Sequence, residues 1–199
     1  MDLHGFLRSR HSVRQVLSEP IPAATIDRML TTAMFAPSAH NRQPWRFAVV
    51  ATKAGKSQLA DSMAAAFGRD LEADGINAAQ VKALLEKSQT RINAAPLAIV
   101  LCTDMSDMDT YPDARRTEAE RAMALQSTAN AGMILLLAAH AEGLGAVWIC
   151  APLFAPRAVV SGLHLPENWE PQALFLIGRP AESPKARARK AVNEIAVFL

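Results

Sequence analysis

Apolar positions along the chain follow two periods in turn, and the switches between them mark out helices and strands. Behind Pro22, a residue preset for a first helical turn, Ile26, Met29, Leu30, Ala33 and Met34 recur at helical spacing until Pro37 ends the run. Residues 45–51 form a nearly continuous apolar stretch, the mark of a strand covered on both faces. Residues 53–87 return to helical spacing, as one interrupted helix or two, with breaks near Gly68 and Gly75. A second β-branched strand follows over 97–103, then a long helix over about 117–142. Strands over 146–150 and 173–177, with a short helix over 156–163 between them, complete the order. From 129 to 141 the long helix is apolar almost all round, so it must be covered either by the rest of the domain or by a second copy of the chain. The apolar terminus, residues 195–199, reads as strand-like and requires a partner, because an exposed apolar edge aggregates.

Composition narrows the picture. With 199 residues, 50% of them hydrophobic, the chain fills one core, and residues 1–199 read as a single domain. Lys and Arg number 21 against 19 Asp and Glu, so no overall field recruits nucleic acid or anionic lipid, and any cationic site is local. Cys102 and Cys150 lie in apolar surroundings without a CxxC spacing and read as buried thiols in a reducing compartment. No hydrophobic leader follows the early arginines, and the apolar run 133–139 is too short to cross a bilayer, so the expectation is a soluble cytoplasmic protein with no membrane partner.

The chemistry is concentrated in a few segments. Between Pro37 and Pro44 the chain packs Ser38, His40, Asn41, Arg42 and Gln43 just ahead of Trp45. Each proline restricts the residue before it, so this loop is expected to enter and leave extended, presenting polar groups to a planar hydrogen-bonding ligand. Residues 8–14 lack helical periodicity; if extended, Arg10, Ser12 and Arg14 point to one side, either as a cradle for phosphate or as a solvated basic turn. Lys185, Arg187, Arg189 and Lys190 either converge on the same anion or form a soluble tail. The segment 111–120 reads as a capped helix start with an Arg116–Glu120 pair rather than a charged lid. Two motifs are decoys. Around Lys56 the P-loop pattern lacks its first glycine, and Gly143-Leu144-Gly145 ends a helix where a dinucleotide fingerprint would begin one. No metal-ligand spacing, nucleophile elbow or acid–base pair stands out, which points to a cofactor as the agent of any chemistry.

Four elements, in this order and spacing, resemble the FMN-dependent nitroreductase family over essentially the whole chain: 10–14, 36–45, 142–149 and 177–180. Through 38–45, 70–75, 111–120, 153–154 and 165–171 the likeness is greatest to the C-terminal flavin domain of the γ-glutamyl ligase that matures the deazaflavin coenzyme, without its ligase domain. The resemblance implies an α+β sandwich, a mainly antiparallel sheet flanked by helices. It implies a homodimer formed through long helices and an exchanged C-terminal tail, with FMN in the interface. Arg10 and Ser12, with His11 beside them and Arg187 or Arg189 from the tail, would hold the phosphate, and Arg14 would approach the N1/O2 edge. Pro37, Ser38, Ala39, Asn41 and Gln43 would come from the partner chain, while Trp148, Ile149, Cys150 and Ala151 would line the other face, a backbone amide meeting N5. No side chain is expected to be catalytic in its own right. Hydride would pass from NADH, NADPH or a deazaflavin to a small-molecule acceptor such as a nitroaromatic, quinone or activated C=C bond. Reduction of a deazaflavin-coenzyme precursor and non-catalytic flavin storage or sensing are the alternatives. The chain departs from the family's pattern at Met133-Ile134, where relatives often have Gln-Asn, at Cys150, where many carry a glutamate or polar residue, and at Ala191, where a proline often follows the basic pair.

Overall fold

The computed structural model describes residues 2–183 and 188–199, and within them six helices and four strands form one sheet with a helical layer on each face. The elements are α1 (Leu3–Ser9), α2 (Ala23–Ala33), β1 (Trp45–Val50), α3 (Lys53–Ala73), α4 (Ala78–Ala94), β2 (Leu97–Asp104), α5 (Ala114–Ala141), β3 (Gly145–Ile149), α6 (Pro156–Leu163) and β4 (Trp169–Gly178). The sheet order is β1-β2-β4-β3 and every neighbouring pair is antiparallel, with Trp45 opposite Thr103, Leu97 opposite Ile177 and Gly145 opposite Gly178. This is the α+β architecture expected from the sequence.

Every residue of β2 is buried, which explains its unbroken apolar run: it sits inside the sheet and is covered above and below. Alternate side chains serve two cores. Leu97, Ile99, Leu101, Phe175 and Ile177 meet Met29 of α2 and Leu135 of α5 on one face, while Ala98, Val100, Leu174 and Leu176 meet Leu59, Ile92 and Val159 on the other.

Several elements differ from the sequence reading. Residues 3–9 are helical, N-capped by Asp2, whose Oδ1 accepts from Gly5 N at 2.6 Å. The break in 53–87 falls only at Gly75 (φ 76°), because α3 runs through Gly68. A Cβ on Gly68 would lie 3.2 Å from Leu85 Cδ1, so the glycine permits the close approach of α3 and α4. Asp113 caps α5, starting it ahead of the expected 117, and Arg116 pairs with Asp113 instead of Glu120. Glu120 is buried, and its Oε1 accepts from Asp109 N at 3.1 Å. β4 begins at Trp169 because a bulge between Leu101 and Cys102 lets the polar 170–172 stretch pair, which periodicity alone hides. The terminus forms a 3₁₀ turn over Val192–Glu194 and then no strand; Phe198 is 86% exposed. In α5 the sheet and α2 cover one side, and an outward stripe of Ala129, Asn130 and Met133 stays exposed. The apolar run 133–139 lies within a longer window of α5 that is apolar enough to span a membrane by composition, yet half of that window is buried in the fold.

Candidate functional site

The basic segment after α1 is fastened to the sheet edge by its backbone. Val13 N donates to Ala146 O at 3.0 Å, Ser12 bridges Ala146 in parallel, and Leu17 N donates to Arg179 O at 2.8 Å. A Cβ on Gly145 would come within 2.6 Å of Val13 Cβ, so only glycine admits this contact. Val13 is buried between exposed Ser12 and Arg14, which puts those two side chains on the same outer side, two of the three that the extended reading placed together. Arg10 and His11 instead line a cavity of about 180 Å³ with His140 and the Gly143–Ala146 turn. There His140 Nε2 lies 2.8 Å from Ser9 Oγ, which itself donates to Phe6 O. Burial above all, with Arg10 and His11 adding to it, holds the His140 imidazole below its ordinary pKa, so the ring resists taking up a proton. Gly143 has φ +71° and closes α5 as the expected C-cap turn.

The polar loop is held by α5. Ala39 N donates to Ser127 Oγ at 3.1 Å, and Asn130 Nδ2 donates to Pro37 O at 3.3 Å. Ser38 Oγ accepts from Gln43 N at 3.1 Å, and Arg42 pairs with Asp109 at 2.6 Å. Ser38 is extended, so the loop begins as expected, but Gln43, directly before Pro44, has φ 50° and the exit is not extended. Hydrogen bonds override the proline's bias there: Arg46 Nη1 donates to Gln43 O at 3.0 Å, while its Nη2 meets Asp104 at 2.9 Å. Burial pushes the Asp104 carboxyl up, but hydrogen bonds from Ser106 and Asn168 together with Arg46 outweigh it and hold the group below its ordinary range. His40 and Asn41 share the left-handed conformation (φ 50° and 54°).

The third cluster continues from β3. Trp148 packs edge-on against Phe175 with ring centroids 5.0 Å apart, and a Cβ on Gly132 would lie 2.6 Å from its ring. Ile149 is half-buried, Ala151 opens a 3₁₀ turn, and Cys150 is exposed, which corrects the expectation of two buried thiols. Cys102 is buried, and burial pushes its thiol up to about 12.

The fold therefore brings Ser12 and Val13 beside Gly145 and Ala146 and keeps the 37–43 loop away from that end of the sheet, whereas β3 runs from there back towards the level of the loop, so the 148–151 turn lies at the loop's end on the opposite edge. β1 and β3 are opposite edge strands, and the loop enters at the Thr103 end of β2 whereas Ala146 lies level with its Leu97 end. At strand spacing and rise Ala146 and Trp45 stand roughly 25 Å apart. Lys185 and Arg187 lie outside the described residues, while Arg189 and Lys190 are exposed. Sequence reasoning missed Ser127, Asn130, Asp109 and His140, although Ser127 and Asn130 at i,i+3 inside an apolar helix were a readable signal of a docked loop.

The nitroreductase family pattern matches residues 7–179, from the end of α1 to the end of the sheet. The chain belongs to the nitroreductase family. Among relatives of this oxidoreductase family, a Bacillus subtilis (strain 168) protein that carries an NAD(P)H nitroreductase name, YfhC, is 29% identical over 96% of this chain and 91% of its own. A Rhodospirillum rubrum 5,6-dimethylbenzimidazole synthase is 31% identical over 90% of this chain and 82% of its own. A nitroreductase-like protein of Bacillus cereus has the same fold, with a TM-score of 0.80 over 100% of this chain and 96% of its own at 19% identity. The family's fold thus accounts for the sheet and both helical layers.

Proposed function

We propose that this nitroreductase-family chain is an FMN-dependent homodimeric oxidoreductase that transfers hydride from a reduced nicotinamide or deazaflavin, through flavin N5, to a nitroaromatic, quinone or activated C=C acceptor. One observation carries the reading: the 10–14 segment and the 37–43 loop stand at diagonal corners of one sheet, too far apart for a single planar ligand to touch both within one chain. In the proposed dimer two copies would meet along the exposed stripe of α5, so that the 37–43 loop of one could complete the site begun by the 10–14 segment of the other.

The residues suit the group. Arg10 and His11 in the basin and Ser12 on the outer side offer charge and donors to a phosphate, and Arg14, which shares the outer side with Ser12, suits the N1/O2 edge, where two-electron reduction places negative charge. Bound flavin supplies the hydride acceptor and donor, and the protein holds, orients and partly shields it. Ser38, Ala39, Asn41 and Gln43 are set by hydrogen bonds before any ligand arrives, which lowers the ordering cost of binding. The free thiols agree with a cytoplasmic setting.

The test is an absorption spectrum of the purified protein followed by NADH or NADPH oxidation with a quinone. A flavin spectrum and many turnovers per flavin are expected. A single bleaching per flavin would favour storage or sensing, and a colourless monomer that takes up no added FMN would overturn the reading.

A further inference from the structure

α3 and α4 form an antiparallel hairpin, and next to the 3₁₀ turn Ala151–Phe154 they enclose a cavity of about 380 Å³, within the size range of small-molecule sites. Phe67, Leu84 and Phe154 line it while remaining 42%, 45% and 77% exposed, so a set of large apolar side chains faces an opening. Three charged side chains share the lining: Asp70, Lys87 and Arg91. Among the described residues none of the three makes an ion pair.

Hairpin geometry separates these charges. Gln89 Nε2 donates to Asp61 at 2.7 Å and Gly68 faces Leu85, which fixes how the two helices align. Asp70 consequently lies toward the hairpin turn. Lys87 and Arg91, one turn apart on α4, lie toward the other end, level with Met63 and Ala64. From Met63 to Asp70 the rise along α3 is about 10 Å. The cavity is therefore apolar in the middle, cationic at one end and anionic at the other.

We propose that this cavity is a binding site for a small apolar monocarboxylate. The carboxylate sits between Lys87 and Arg91, with Ser88 as a further donor, and the apolar body lies over Phe67 and Leu84. Asp70 rejects a second anionic group at the far end. The inference stands without the flavin reading, because the binding is measured directly and Lys87, Arg91 and Asp70 belong to none of the flavin-type clusters.

Isothermal titration of the full chain with 2-naphthoate, 2-naphthamide and naphthalene-2,6-dicarboxylate tests it. The monocarboxylate is expected to bind at least about tenfold tighter than the amide or the diacid, the worth of one charge-assisted hydrogen bond. Lys87→Gln and Arg91→Gln each weaken naphthoate about tenfold and leave naphthamide unchanged, whereas Asp70→Asn admits the diacid. All three side chains are exposed, and circular dichroism checks that the variants fold. Equal affinity for acid and amide, naphthoate binding indifferent to both cation variants, or no binding of any of the three compounds overturns the proposal.

Discussion

Arg10 and Arg14 lie four positions apart in the chain yet have different surroundings, one lining the basin beside His140 and the other standing on the outer side of buried Val13. In the proposed holoenzyme Arg10→Ala should strip FMN, raising its Kd by about ten- to a hundredfold, as expected for a charge-assisted phosphate contact. Arg14→Ala should keep the flavin but lower its reduction potential, measured against a reference dye, because a cation beside N1 favours the reduced form. Full flavin retention in Arg10→Ala would remove that residue from the phosphate site. His140 gives a pH signature. Its pKa in the fold is depressed by burial, with Arg10 and His11 adding to the effect, so the unfolded chain takes up the proton first on acidification. The contribution is complete above the ordinary imidazole value of about 6.5 and is lost as pH falls through the lower folded value. The urea midpoint should therefore drop between about pH 7.5 and about pH 5.5, and His140→Gln should flatten that drop. An identical slope in the variant would assign the pH dependence to other groups.

At the scale of elements, α5 is both a wall of the core and the rail on which the polar loop rides. Gly132 shows the first role. In an ordinary helix Gly→Ala is stabilising by about 1 kcal/mol, but here the new methyl would meet Trp148 at 2.6 Å and Leu101 at 2.8 Å, both packed side chains. Overpacking outweighs propensity, so Gly132→Ala should lose about 1–3 kcal/mol, read as a lowered thermal midpoint. Ser127 shows the second: Ser127→Ala removes the acceptor of Ala39 N and should loosen the loop, with faster amide exchange at 38–43 and a stability loss of about 1 kcal/mol. An unchanged exchange rate would detach the loop from α5. Much of this was legible in the chain. The helical period of 23–33, the apolar runs of β1 and β2 and the Gly143 stop signal follow from local spacing and turn chemistry. What stayed hidden depends on distant partners: the first half of β4 pairs only because a bulge absorbs its polar residues, and the left-handed loop residues follow from bonds to α5, Asp109 and Arg46. The Arg116–Glu120 pair failed because capping by Asp113 took the arginine and burial took the glutamate.

For the whole molecule, the sheet order sets how far apart the candidate ligand residues stand. Placing β1 and β3 at opposite edges puts the 37–43 loop and the 10–14 segment at diagonal corners of the sheet. The apolar surface left outside, Phe35 at 84%, Met133 at 43% and the terminal 195–199 segment, is what a second copy would cover. On the proposed dimer reading, Met133→Glu on the outward stripe of α5 should shift the protein to the monomer in size-exclusion chromatography and abolish flavin binding together with it. Loss of the dimer with flavin retained would show that one chain suffices.

The two cysteines differ enough to serve as a built-in reporter. Cys102 sits inside β2 with a thiol too buried and too basic to ionise at neutral pH, while Cys150 faces outward at the end of β3. A maleimide dye should therefore label the native chain once, and denaturant should expose the second equivalent. If a yellow cofactor settles over the 148–151 turn, it should slow that single labelling event, giving a stopwatch for occupancy that needs no engineered residue.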